Sequence, residues 1–295
     1  MKKTGYVFLT GLFMLFSSVK ADVPPEYRWN KWILEIKAST PPAYVLLEDA
    51  QGRRAGANPN VAFDEYGGQG DGLGGLQEIP LSSVEQQNIG SDDPATEGQA
   101  SPTTGWFVYV YDQPAQTFTL RLVGLKDGIE HIYQMVMFGP KRASDAYGSN
   151  FNVLVSQGSN KTFQIVFDPE KKVLTATPVL KPGDLQDDIK TACGLSLITS
   201  NRVCGRLMEK ASDIQDALVH HCNEKAGALI QSFLCSLGDS RPKECKDNDE
   251  HASIKEPALT SLKTDARALL DSLKKDGRHW DERDCREEDR KNPKK

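Results

Sequence analysis

All six cysteines of this 295-residue chain (Cys193, Cys204, Cys222, Cys235, Cys245 and Cys285) fall between residues 193 and 285. An even set confined to one region reads as a disulfide framework and requires an oxidising destination. The N-terminus supplies the matching signal. Lys2 and Lys3 precede an uncharged, mostly apolar run from Gly5 to Phe16, and Val19-Lys20-Ala21 places small residues where a signal peptidase cuts. That run is too short to cross a bilayer, which takes roughly 20 residues as a helix. Residues 1–21 are therefore expected to be a cleaved signal peptide, and the product to be secreted or periplasmic and not membrane-spanning.

Cleavage would shift the formal net charge from −5 to −8, with −7 carried by residues 22–180 and −1 by the remainder. An acidic body without a basic stripe argues against nucleic acid as a partner. Some 270 residues are enough for two domains with separate cores.

The cysteine-free part is patterned for strands. WILEI (32–36), AYVLLE (43–48), WFVYVY (106–111), TFTLRLV (117–123), HIYQMVMF (131–138), FNVLVS (151–156), TFQIVF (162–167) and VLTAT (173–177) are short apolar or alternating runs. Phe118, Leu120 and Leu122 alternate with Thr117, Thr119 and Arg121, a period of two with one face buried. Asp112-Gln113-Pro114, Lys126-Asp127-Gly128 and Gly158-Ser159-Asn160 supply turns between runs. The pattern predicts an antiparallel β-sandwich over 22–180, interrupted by a long irregular loop at 52–105. Within that loop, 67–75 (GGQGDGLGG) has the glycines of a calcium-binding repeat. Its aspartate is one place early and the repeat occurs once, so a loop and not a metal site is expected.

Asp49-Ala50-Gln51-Gly52-Arg53-Arg54-Ala55-Gly56, Asn58-Pro59, Glu78-Ile79-Pro80 and 112–120 (DQPAQTFTL) together resemble a β-sandwich module of secreted bacterial proteins, akin to bacterial Ig-like and pre-peptidase C-terminal domains. The similarity spans about 40–125. It implies a fold and export, and carries no catalytic residue.

Lys181-Pro182-Gly183-Asp184 marks a linker, after which the period becomes helical. Thr199 or Ser200 can cap a helix through Val203, Leu207 and Met208. Ser212 with Gln215 reads as a capping box that starts another, striped by Ile214, Leu218, Cys222, Ala226, Leu229, Ile230, Phe233 and Leu237. A third helix begins near Pro257 and buries Leu259, Leu262, Ala266, Leu269, Leu270 and Leu273. A turn at Ser212 makes Cys204 and Cys222 face each other, leaving Cys193–Cys235 and Cys245–Cys285 by elimination. The expected fold class is thus α+β as two domains, an antiparallel β-sandwich followed by a disulfide-linked all-α helical bundle at 184–275, with a charged tail at 276–295. Val203-Cys204-Gly205-Arg206-Leu207, Cys222-Asn223, 226–233 and 266–273 resemble the FIMAH-type helical domain, over about 186–274, although the loop from Gly238 to Ser253 departs from it. That resemblance implies an accessory role.

Catalytic patterns fail on geometry. His220, His221 and Cys222 are adjacent, so on a helix they point about 100° apart and cannot converge on one metal ion. His131, His251 and His279 have no companion motif. Gly238-Asp239-Ser240 resembles a serine-protease turn but lacks its flanking glycines and its partners. No H-E-x-x-H, G-x-S-x-G or phosphate-binding glycine loop occurs. No cofactor and no catalytic residue are expected. Trp29, Trp32, Trp106, Tyr44, Tyr109 and Tyr111 are the binding candidates. In WFVYVY, Trp106, Val108 and Val110 take one face and Phe107, Tyr109 and Tyr111 the other; one face is core, the other a second packed layer or a ligand platform. Asn160-Lys161-Thr162 is a glycosylation sequon relevant in a eukaryotic host. The leading expectation is a secreted, non-catalytic binding protein for an extracellular protein, a glycan or a surface. The alternatives are a hydrolase with carboxylates around 52–105 and an oligomeric structural component of the envelope.

Overall fold

Strand after strand in the computed structural model follows the alternation of the sequence. The structure describes residues 31–38, 43–63, 69, 75–89, 103–239 and 249–275. The strands are β1 (Trp32–Ala38), β2 (Ala43–Glu48), β3 (Arg54–Ala57), β4 (Gly75–Gln77), β5 (Ser82–Ile89), β6 (Thr103–Tyr111), β7 (Gln116–Gly124), β8 (Gly128–Phe138), β9 (Tyr147–Val155), β10 (Asn160–Asp168) and β11 (Val173–Val179). They form two antiparallel sheets. One has five strands in the order β5-β6-β1-β8-β9, the other six in the order β11-β10-β7-β2-β3-β4.

The inward residues of both sheets belong to one core. Leu34, Ile36, Trp106, Val108 and Phe138 come from the first sheet, and Leu47, Phe118, Leu120, Ile165 and Phe167 from the second. Full burial of each such side chain contributes about 1.5–3 kcal/mol, so the alternation that aims them inward is also what drives the sheets together.

The stretch 52–105 is not one irregular loop: β3, β4 and β5 lie within it. β5 (SSVEQQNI) is an edge strand with a single aliphatic residue before Ile89, so its hydrophobic period is almost absent while its backbone is paired along all eight residues with β6. The turn into β3 is built by Asp49, whose buried carboxylate accepts from the backbone N–H groups of Gln51 and Arg53 and from Arg53 Nε. Burial works against its charge, yet these bonds hold the carboxyl below the ordinary carboxylate range. Gly56 pairs with Leu46 at φ +132°, and a Cβ there would lie 2.3 Å from the carbonyl oxygen of Val45, so no side chain fits. Within the glycine-rich segment, Gln69 is buried; its side-chain amide bonds the backbone of Asn58 and Val61. Asp71 lies outside the described residues.

The helices are α1 (Asp184–Gly194), α2 (Asn201–Val219), α3 (Asn223–Ser236) and α4 (Ala258–Lys275). Ser200 caps α2 by accepting from the Val203 N–H. Ser212 starts nothing: α2 runs through it, because Leu207, Ala211 and Ile214 continue one buried stripe across that point. The break comes later, at His221, where φ is +56°. The expected single stripe from Ile214 to Leu237 is therefore divided between α2 and α3. The helical core includes Leu154 of β9, and Ile129 of β8 packs against it, so helices and sheet edge share apolar packing.

The unbroken α2 also overturns the expected cysteine pairing. With no turn at Ser212, Cys204 and Cys222 never face one another. Cys204 lies in the first turn of α2 and bonds Cys193, one residue from the end of α1, with Cα atoms 6.1 Å apart. This excludes both Cys204–Cys222 and Cys193–Cys235. Cys222 and Cys235 are disulfide-bonded as well. Cys245 and Cys285 lie outside the described residues, as do the expected signal peptide at 1–21 and the tail at 276–295.

Candidate functional site

The alternation in β6 sends Trp106, Val108 and Val110 into the core and turns Phe107, Tyr109 and Tyr111 to the opposite face of the five-stranded sheet. Register assembles that outward face. Across one row run Ser83 of β5, Tyr109 of β6, Glu35 of β1 and Met135 of β8. Across the next run Glu85, Phe107, Lys37 and Tyr133. Two carboxylates, one ammonium, three aromatic rings and a thioether thus share a surface built on strands, which hold side chains more firmly than loops do.

The face grades from buried to open. Phe107 and Tyr111 are nearly enclosed, whereas Tyr133 is 45% and Met135 36% exposed. Lys37 Nζ lies 4.8 Å from the centre of the Phe107 ring and 5.9 Å from that of Tyr133. Phe107 and Tyr109 stack at 6.3 Å, and the Tyr111 hydroxyl meets Ser83 Oγ at 3.1 Å.

These neighbours tune the acids. Burial raises the Glu35 carboxyl above its ordinary value; Lys37 opposes the shift and Glu85 adds to it. Burial, then the charges of Glu35 and Glu85, pushes the Tyr109 phenol upward. Tyr111 is raised by burial too, with the Ser83 hydrogen bond offsetting part. Both phenols therefore stay protonated and able to donate, beside carboxylates able to accept. Rings with flanking donors and acceptors can stack on an apolar ligand face while exchanging hydrogen bonds at its rim.

The other candidates disperse. Trp106 and Tyr44 are core residues, Tyr44 stacking on Phe63 at 4.5 Å. Trp32 donates its indole N–H to the Gln113 carbonyl at 2.8 Å. Trp29 and His279 lie outside the described residues. His131 Nδ1 is hydrogen-bonded to Asn152 Oδ1. His220 and His221 occupy the break between α2 and α3, and His251 packs against Gly238. Asp239 accepts two bonds from Arg267, at 2.9 and 2.7 Å, so its role is structural. Among the described residues no group of three or more His, Cys, Asp or Glu is placed to hold a metal ion, and no helix is long and apolar enough to cross a membrane.

Sequence reasoning missed Glu35, Lys37, Glu85 and Tyr133. Their signal was present for three of them, since Glu35 and Lys37 share the wet face of β1 and Tyr133 that of β8, but pairing them needs the strand order. Compared with known proteins, the chain matches no family model, no curated protein and no solved structure.

Proposed function

We propose that this chain is an exported, non-catalytic binding protein whose ligand is a carbohydrate held on the outward face of the five-stranded sheet. The observation that carries the reading is the pair of rows in which Tyr109, Phe107 and Tyr133 alternate with Glu35, Lys37 and Glu85. A pyranose has an apolar face that an exposed ring such as Tyr133 can cover, and hydroxyls that carboxylates and phenols can bond. The two glutamates disfavour sulfated or uronic polymers by like-charge repulsion, which leaves neutral or amino sugars. In this reading the two sheets form a β-sandwich of the Ig-like kind, the helices are a disulfide-stabilised accessory domain, and residues 1–21 direct export.

Electrophoresis of the purified protein through gels containing neutral, amino or acidic polysaccharides tests the proposal. Retardation by a neutral or amino-sugar polymer is expected, with Tyr133→Ala and Glu85→Gln losing about tenfold in affinity each, the cost of roughly 1.4 kcal/mol. Absence of retardation on every glycan would sink it.

A hydrolase is the second reading, favoured by one observation: Glu85 belongs to the 52–105 stretch and acts on the raised carboxyl of Glu35. Their Cα atoms are two strands and two residues apart, about 12 Å, from which side chains can converge on a glycosidic bond. Turnover of a retained polysaccharide, abolished by Glu35→Gln, would decide for it.

A further inference from the structure

Three charged side chains from three separate elements meet in the interior, away from the aromatic face. Lys161 of β10, Asp188 of α1 and Asp265 of α4 are 6%, 2% and 8% exposed. Lys161 Nζ lies 2.7 Å from Asp188 Oδ1. Although that distance is typical of a charge-assisted hydrogen bond, the approach falls outside hydrogen-bond angles, and Nζ has no other acceptor in good geometry. Asp265 is close enough to Asp188 for the two acids to act on each other, the charge of Asp188 raising the Asp265 carboxyl.

A buried ion pair needs one carboxylate for its ammonium, and this site has two acids. Two carboxylates in contact cannot both ionise cheaply, so one keeps its proton. Burial drives both acids upward, and the charge of Asp188 raises Asp265 further. Burial disfavours the Lys161 ammonium as well, but the charges of Asp188, Asp265 and Asp184 more than offset it. The resting cluster is therefore an ammonium, a carboxylate and a carboxylic acid. Moving one proton from Nζ to Asp188 leaves the total charge unchanged and produces a neutral amine against a carboxylic acid, the form a desolvated site favours relative to water.

We propose that Lys161 and Asp188 are joined by a self-formed isopeptide bond, with Asp265 as the acid–base group that assists it. The neutral amine attacks Asp188 Cγ, forming the N–C bond. Asp265 donates its proton to the departing hydroxyl, and the Cγ–O bond breaks to release one water. The surplus proton on nitrogen passes to the Asp265 carboxylate, which ends as it began. Nothing is oxidised or reduced and no co-reactant is needed. Fixing amine and acid in contact supplies the effective concentration that free groups lack, and water exclusion resists hydrolysis. The product is an uncharged amide, so a buried cation and anion, costly unless fully compensated, both disappear. The bond would tie β10 of the six-stranded sheet directly to α1.

Mass spectrometry of the purified full chain tests this. After reduction and alkylation of the disulfides, the wild-type protein is expected to be lighter by one water than its sequence. Trypsin should fail to cut after Lys161 and should yield a branched peptide linking Lys161 to Asp188. Lys161→Ala and Asp188→Ala should restore the full mass, and Asp265→Asn should leave an unlinked fraction. Full sequence mass with ordinary cleavage after Lys161 in the denatured wild type overturns the proposal, as does a water loss located elsewhere. Because the wild-type protein alone decides, misfolding of a variant does not shelter the idea.

Discussion

The ammonium of Lys37 lies 4.8 Å from the ring centre of Phe107, and in the same position it lowers the carboxyl of Glu35 on its own strand. The two effects have separable consequences. Lys37→Met keeps the aliphatic stem and removes the charge, so the cation–π contact, worth about 0.5–2 kcal/mol, is lost. The same substitution should move the Glu35 titration further upward, since the ammonium that opposes its shift is gone. Carboxyl carbon shifts followed by NMR across a pH series would read both states. An unchanged Glu35 titration in Lys37→Met would show that the two groups do not interact.

Glu35 itself carries a cost that pH can expose. Its folded pKa lies above the ordinary 4.5, mainly through burial. Between 4.5 and the folded value, the native protein holds a proton that the unfolded chain has released. Stability is therefore full below 4.5 and falls as pH rises through the folded pKa. Glu35→Gln removes this dependence. The variant should melt above the wild type at pH 7 and alongside it at pH 4, measured by calorimetry at matched ionic strength. A gap of equal size at both pH values would mean that the substitution acts through packing. A residue kept despite such a cost is also what a binding or catalytic face contains.

The alternating runs led to their strands because each carries its own core face: Phe118, Leu120 and Leu122 are a complete instruction for β7. β5 carries almost none, since an edge strand needs a partner more than a hydrophobic period, and Val84 alone does not make one. Ser212 and Gln215 spell a helix start, but a capping box is local and the buried stripe through Ala211 and Ile214 overrides it. The candidate face was half legible. Tyr109 and Tyr111 follow from alternation, whereas Glu35 and Glu85 become neighbours only through the order β5-β6-β1. Lys161, Asp188 and Asp265 were hidden for a different reason. Lys161 sits in a sequon between Asn160 and Thr162, and charged residues at such positions read as solvated until the helices that cover them are in place.

The Cys193–Cys204 bond fixes the last turn of α1 to the first turn of α2. It closes a short loop, for which chain entropy suggests about 3 kcal/mol of stabilisation. That contribution should fall unevenly. Leu185, Ile189, Val203 and Leu207 pack in the helical core, while the strands of the six-stranded sheet are held by the separate cluster around Phe118 and Phe167. In a Cys193→Ser/Cys204→Ser variant, hydrogen exchange should accelerate in α1 and α2 and stay unchanged in β2 and β7. β9 is the informative boundary, because Leu154 belongs to the helical core and its neighbours Val153 and Val155 to the other. Faster exchange confined to the Leu154 end of β9 would show the two cores parting at that strand. Equal acceleration through β2 and β7 would instead mean that the whole chain unfolds as one cooperative unit, and that the disulfide stabilises the sheets as much as the helices it joins.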